Sequence, residues 1–191
     1  DPRGRTFKSG KPKTVSQVLA TAVFPGVIGG PLMHVIAAKA VAFGEALTPE
    51  FKTYQKQVKA NAAALAKALQ SKGFRITSGG TDNHLMLVDL QPKDESLTGA
   101  DAEAWLEAAG IICNKNGVPQ DPRPPKTTSG LRLGTPAHPP RGLAENHMHT
   151  IAGFIDEVLS AKGDEATTQR IREDVRTMCE ANPIWAQAAH V

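Results

Sequence analysis

Thr128-Ser129-Gly130-Leu131-Arg132-Leu133-Gly134-Thr135-Pro136 sets one arginine between two leucines, with a glycine on either side and a proline to close the run. The segment is too short for a helix and alternates with period two, so it reads as a strand. Leu131 and Leu133 then point to one face and Arg132 to the other. The arginine is open to two readings. It is a solvated cation on an edge strand, or its planar fork of donors holds a carboxylate through charge-assisted hydrogen bonds worth about 1.5–3 kcal/mol each.

The residues upstream supply further strands. His84-Leu85-Met86-Leu87-Val88-Asp89-Leu90 is apolar nearly throughout, the pattern of a strand buried on both faces. Phe74-Arg75-Ile76-Thr77 and residues 111–113 read as shorter strands. His84, at the entrance of its strand, reads as tying a loop to backbone carbonyls rather than as a catalytic base. Between these strands and the Arg132 strand lies a stretch from Gly117 to Pro125, rich in Pro and Gly and too polar for a core. Irregular loops of that length are frequently functional.

Helices fill the rest. Thr14-Val15-Ser16-Gln17 is a capping box that opens a short helix through Ala22, ended by Phe24-Pro25-Gly26. Gly29-Gly30-Pro31 precedes a helix over residues 32–47. Two glycines ahead of a helix start leave backbone N–H groups bare, which suits a phosphate, although the same triplet also makes an ordinary turn. Thr48-Pro49-Glu50 restarts the chain as a helix to about Lys72. Its apolar stripe is Phe51, Tyr54, Val58, Ala62, Leu65 and Leu69, and Gly73 stops it. Thr98 caps a helix over 100–109. Two more follow over 144–160 and 165–179. His147 and His149 are two residues apart, so they do not share a helix face and cannot pinch one metal. From the third helix onward the order predicts an α+β sandwich, a small sheet backed by helices on one side.

The totals narrow the function classes. The chain has 191 residues, 40% hydrophobic and 21% charged, with a net charge of +3, which allows one real core plus an appended piece. Basic residues are scattered among acids and aromatics are 5%, which argues against a nucleic-acid groove. Cys113 and Cys179 read as reduced thiols of a cytoplasmic protein. No apolar run reaches the ~20 residues of a membrane helix, and no metal-ligand spacing is present.

Several motifs together closely resemble one family. Ala22-Val23-Phe24-Pro25-Gly26, Gly29-Gly30-Pro31-Leu32-Met33-His34-Val35-Ile36-Ala37-Ala38-Lys39-Ala40-Val41-Ala42 and Gly79-Gly80-Thr81-Asp82-Asn83-His84-Leu85 are similar to serine hydroxymethyltransferase. Asn114-Lys115-Asn116 and the Arg132 run through Ala137 extend the likeness, in the right order and spacing, to about Leu159. The resemblance implies an α/β protein of the aminotransferase-like type I fold. Residues 1–47 would be the end of the large domain, 48–181 the small α+β domain and 182–191 a tail. It implies pyridoxal 5′-phosphate as cofactor, exchange of serine plus tetrahydrofolate for glycine plus 5,10-methylenetetrahydrofolate, and a homodimer or dimer of dimers.

By motif, the resemblance implies roles for individual residues. Arg132 matches the arginine that holds the substrate carboxylate. Gly29 and Gly30 match the pair that approaches the cofactor phosphate from the neighbouring subunit, and Arg3 the arginine that ends the cofactor-attachment signature. Asn116 matches a folate-contacting asparagine. Pro124-Pro125-Lys126 stands where the family usually reads Ser-Pro-Phe, and Arg5 where it has a small residue. The lysine that attaches the cofactor would precede residue 1, so no residue of this chain is expected to be catalytic. The departures at Arg5, Pro124 and Lys126 allow a second expectation, a non-catalytic dimerising or binding module. A third, a different type I enzyme acting on glycine-like substrates, is opposed by the Asn116 region and by Thr81-Asp82-Asn83-His84-Leu85.

Overall fold

The computed structural model describes residues 4–184, and these fall into two units, Asp1–Thr48 and Pro49–Val191. In the first unit Arg5 O accepts from Lys13 N at 2.9 Å and Thr6 bridges Pro12, closing a small hairpin. Helix α1 (Val15–Val23) opens on the expected capping box. Thr14 Oγ1 accepts from Gln17 N at 3.2 Å, and Gln17 Oε1 accepts from Thr14 N at 2.9 Å. Helix α2 (Met33–Ala46) follows the glycine pair and buries none of its residues within the described chain. Leu32, Met33, Ile36, Val41 and Phe43 are all exposed.

The second unit holds the core. Helix α3 (Pro49–Ser71) buries Val58, Ala62, Leu65 and Leu69 as its stripe requires, while Phe51 stays at 36% exposure. It also buries Asn61, a residue the apolar pattern does not mark. Asn61 pairs with Gln57 at 2.9 Å and donates to Leu143 O at 2.8 Å, so its burial costs no unmet hydrogen bond. Gly73 adopts φ +91°, a left-handed helix stop.

Four strands form one antiparallel sheet in the order β1-β2-β4-β3: β1 (Arg75–Ile76), β2 (Leu85–Asp89), β3 (Asn114–Asn116) and β4 (Gly130–Gly134). Met86, Val88, Leu131, Leu133 and Ile76 are buried on one face, in the same apolar cluster as residues of α3, α4 (Gly99–Ala108) and α5 (Glu145–Ser160). Helix α6 (Glu165–Ala181) contacts α4 and α5 and adds Ile171 to that cluster. This is the sheet backed by helices that the element order predicts.

Two strand expectations need correction. Strand β2 is not buried on both faces, because Leu85 and Leu87 are half-exposed while Met86 and Val88 are buried. The sheet is antiparallel with helices on one side only, so the apolar run does not imply two covers. The strand expected at residues 111–113 lies instead at Asn114–Asn116. Asn114 pairs with Arg132 and Asn116 with Gly130, and the ladder stops there. Ile112, short of that pairing, is 80% exposed. Among the described residues no helix is long and apolar enough to cross a membrane.

Candidate functional site

The face of the sheet turned away from the helices carries the chemistry. Strand β4 alternates as its sequence demands, with Leu131 at 1% and Leu133 at 6% exposure and Arg132 exposed between them. The register sets Arg132 directly beside Leu87 of β2 and Asn114 of β3. Arg132 Nη2 donates to Asn114 Oδ1 at 3.1 Å. Asn116 shares the side of β3 that Asn114 occupies, so Arg132 and Asn116 face the same way. A hollow beside Arg132 is lined by His84, Leu85, Ile112, Cys113, Asn114 and Gly134 among others.

One end of this face is roofed by residues 117–129. A Cβ added to Gly130 would lie 2.6 Å from Val118 Cγ1 and 3.0 Å from Asn116 O, so the loop crosses the sheet where only glycine leaves room. Gly130 and Arg132 are two apart and project to the same side, which puts the loop on the Arg132 side. Asp121 holds the loop in shape. Its Oδ2 accepts from Val118 N at 3.2 Å and Ser129 N at 2.9 Å, and its Oδ1 from Arg123 N at 3.0 Å and the Ser129 hydroxyl at 2.6 Å. Arg123 closes the network, donating to Ser129 Oγ at 2.9 Å and to Glu95 O at 2.5 Å. Burial works against the Asp121 charge, but the hydrogen bonds, led by the Ser129 hydroxyl, outweigh it and hold the carboxyl down to about 2. The loop's far turn is tied to the N-terminus of α4, where Gly99 N and Ala100 N donate to Thr128 O and Thr127 O at 3.0 and 2.9 Å. Pro124, Pro125 and Lys126 are exposed on this anchored frame, and Asn116 Nδ2 donates to Gly117 O at 2.8 Å at its start.

Two other residues line the hollow. His84 makes no hydrogen bond to a loop through its ring among the described residues. Its backbone carbonyl accepts from Thr135 N at 3.0 Å, extending the β2–β4 ladder by one bond. Burial, reinforced by the charges of Glu103 and Glu107, pushes the Cys113 thiol up to about 12, so it is not a thiolate near neutral pH.

In the first unit, Gly29 and Gly30 line an open hollow with Ile28, Pro31, Leu32, Val35, Ile36 and Lys39. Neither glycine N–H donates a hydrogen bond among the described residues, and no atom lies within 4 Å of a Cβ added to either. Leu32 gives α2 no side-chain cap. Unspent amide donors ahead of an uncapped helix, with a lysine beside them, fit a phosphate. Arg3 lies outside the described residues. His147 and His149 form no metal site. His147 Nδ1 accepts from Ala144 N at 3.1 Å, capping α5, and no cluster of metal-ligating side chains occurs among the described residues.

Sequence reasoning missed Asn114, Asp121 and Ser129. Asn114 was hidden by the misplaced strand. Asp121 and Ser129 lie in a loop without periodicity, and the only hint was an acid followed by Pro-Arg-Pro, a turn-forming pattern.

The chain is similar to known proteins over most of its length. The family model described as "Serine hydroxymethyltransferase" matches residues 4–155. A serine hydroxymethyltransferase of Myxococcus xanthus (strain DK1622) is 54% identical over 185 residues, covering 97% of this chain and 43% of that protein. One of Legionella pneumophila (strain Lens) is 51% identical over 185 residues, covering 97% of this chain and 44% of its own length. The chain thus spans less than half the length of the curated relatives it matches. With a family match over most of its length and a mixed helix-and-strand architecture in accord, the chain belongs to the serine hydroxymethyltransferase family and carries part of the pyridoxal-phosphate type I fold.

Proposed function

We propose that this chain forms part of an enzyme that interconverts serine plus tetrahydrofolate with glycine plus 5,10-methylenetetrahydrofolate, using pyridoxal 5′-phosphate. The observation that carries the reading is the open sheet face. Among the described residues Arg132 stands there with most of its donors unspent, beside Asn114 and on the same side as Asn116, next to an anchored loop. Arg132 grips the carboxylate of serine or glycine, and the half-buried Leu87 beside it limits water on one flank. Fixing the acid end restricts the amino acid to one orientation, which is where a positioning group gains most of its effect. Asn116 and the Pro124-Pro125-Lys126 segment contact tetrahydrofolate. Gly29 and Gly30 hold the cofactor phosphate through their backbone N–H groups, from the neighbouring subunit of a homodimer or dimer of dimers. Arg3 takes the family's signature position. When bound, the cofactor supplies an electron sink for the amino acid.

In this reading residues 1–47 close the large domain, 48–181 form the small domain and 182–191 are a tail. The protein acts in the cytoplasm. The test is turnover by the full-length protein given serine, tetrahydrofolate and pyridoxal 5′-phosphate. Glycine should form only when all three are present. Full-length protein that loads the cofactor yet makes no glycine would overturn the reading.

A further inference from the structure

We propose that Asn114 is a positioning residue for Arg132: it occupies one hydrogen of the guanidinium and so leaves a chosen edge of the fork to grip a carboxylate. The inference rests on the carboxylate role of Arg132 given above and adds a residue to it. Asn114 and Arg132 are directly opposed in the β3–β4 ladder, and both are exposed on the open face. Opposed side chains in such a pair start about 5 Å apart at Cβ, so their contact is set by the register and not by chance collision. The single bond, Arg132 Nη2 to Asn114 Oδ1 at 3.1 Å, is the only side-chain hydrogen bond of that guanidinium among the described residues.

The chemistry of the fork gives the bond its meaning. A guanidinium offers two edges to a carboxylate, each made of two parallel N–H groups, and Nη2 contributes one hydrogen to each edge. A neutral acceptor on one Nη2 hydrogen therefore uses one edge and leaves the other whole. Leu87 flanks Arg132 on the opposite side with a side chain that offers no acceptor, and Asp89, the next carboxylate on that face of β2, is already engaged by Arg75 and the Gln91 amide. Asn114 Nδ2 has no partner among the described residues and adds a donor at the rim of the site. Asparagine also suits the task by charge. A carboxylate at this position would engage the guanidinium itself and shut out an anionic substrate.

The experiment compares Asn114→Ala, Asn114→Asp and Arg132→Ala in the full-length, cofactor-loaded protein, reading serine affinity by titration, kcat at saturating serine, KM for tetrahydrofolate and melting temperature. Loss of one orienting bond to a charged group predicts serine affinity about tenfold weaker in Asn114→Ala. In that variant kcat, tetrahydrofolate KM and melting temperature should hold. Asn114→Asp, nearest to asparagine in shape, should be worse, with affinity about a hundredfold weaker and partly restored by salt. A merely structural role predicts the reverse order, with aspartate the milder change and melting temperature tracking affinity. The proposal is overturned if Arg132→Ala weakens serine strongly while both Asn114 variants stay within twofold of the parent. If Arg132→Ala itself leaves serine affinity unchanged, the carboxylate reading fails and this inference fails with it.

Discussion

Replacing Asp121 by alanine tests whether residues 117–129 are a fixed frame. The carboxylate accepts four hydrogen bonds, two of them from Ser129, which is fully buried. In Asp121→Ala the Ser129 amide loses its acceptor where water does not reach, at a cost of about 1–3 kcal/mol. The Val118 amide, in a residue only 8% exposed, also loses its acceptor. The Ser129 hydroxyl still accepts from Arg123, but its own O–H loses its acceptor. The total should be about 3 kcal/mol, so the segment should open roughly a hundredfold more often. Hydrogen–deuterium exchange of peptides spanning 117–130 in the full-length protein reads this directly, and urea denaturation reads the global effect. The sign with pH follows from the carboxyl being held at about 2, below its ordinary value of 3.8. Its stabilisation is complete above about pH 4 and is lost as pH falls toward 2. The gap between parent and variant should therefore narrow from pH 5 to pH 3. A gap that stays constant, or unchanged exchange in 117–130, would refute the frame.

Two glycines give opposite expectations. Gly163 has φ +72°, and a Cβ there would lie 2.2 Å from Trp105 Cδ1, so Gly163→Ala should destabilise by about 2–3 kcal/mol in thermal or urea unfolding. Gly153 sits within α5 with nothing within 4 Å of an added Cβ, so Gly153→Ala should be neutral or stabilising by up to about 1 kcal/mol in the same assay. Lys126→Phe, which restores the family's usual aromatic at that position, should tighten tetrahydrofolate binding in the full-length protein. Unchanged folate affinity would remove that segment from the site.

Legibility in the sequence followed the range of the forces involved. Helix starts were readable because their causes are local. The Thr14–Gln17 box and the Thr98 cap, whose Oγ1 accepts from Asp101 N at 3.1 Å, need only four consecutive residues each. The Arg132 strand was readable because glycines and alternation bound it. Strand β3 was misplaced because an apolar run, residues 111–113, outweighed a polar one. What selects Asn114–Asn116 is pairing with a strand some eighteen residues away, helped by Glu103 Oε1 accepting from Lys115 N at 3.0 Å. The Asp121 network was invisible for a related reason. It joins residues that share no period and meet only when the loop folds over Gly130. The exposure of α2, whose residues are none of them buried within the described chain, has no such local signal in the sequence.

The proposed function stands on one cation meeting the acid end of an amino acid. Calorimetric titration of serine into the full-length, cofactor-loaded protein and its Arg132→Ala variant measures that encounter. Loss of a two-bond, charge-assisted grip predicts affinity at least about a hundredfold weaker with the cofactor's absorbance intact. Serine affinity equal to the parent's, with the cofactor still bound, would contradict it.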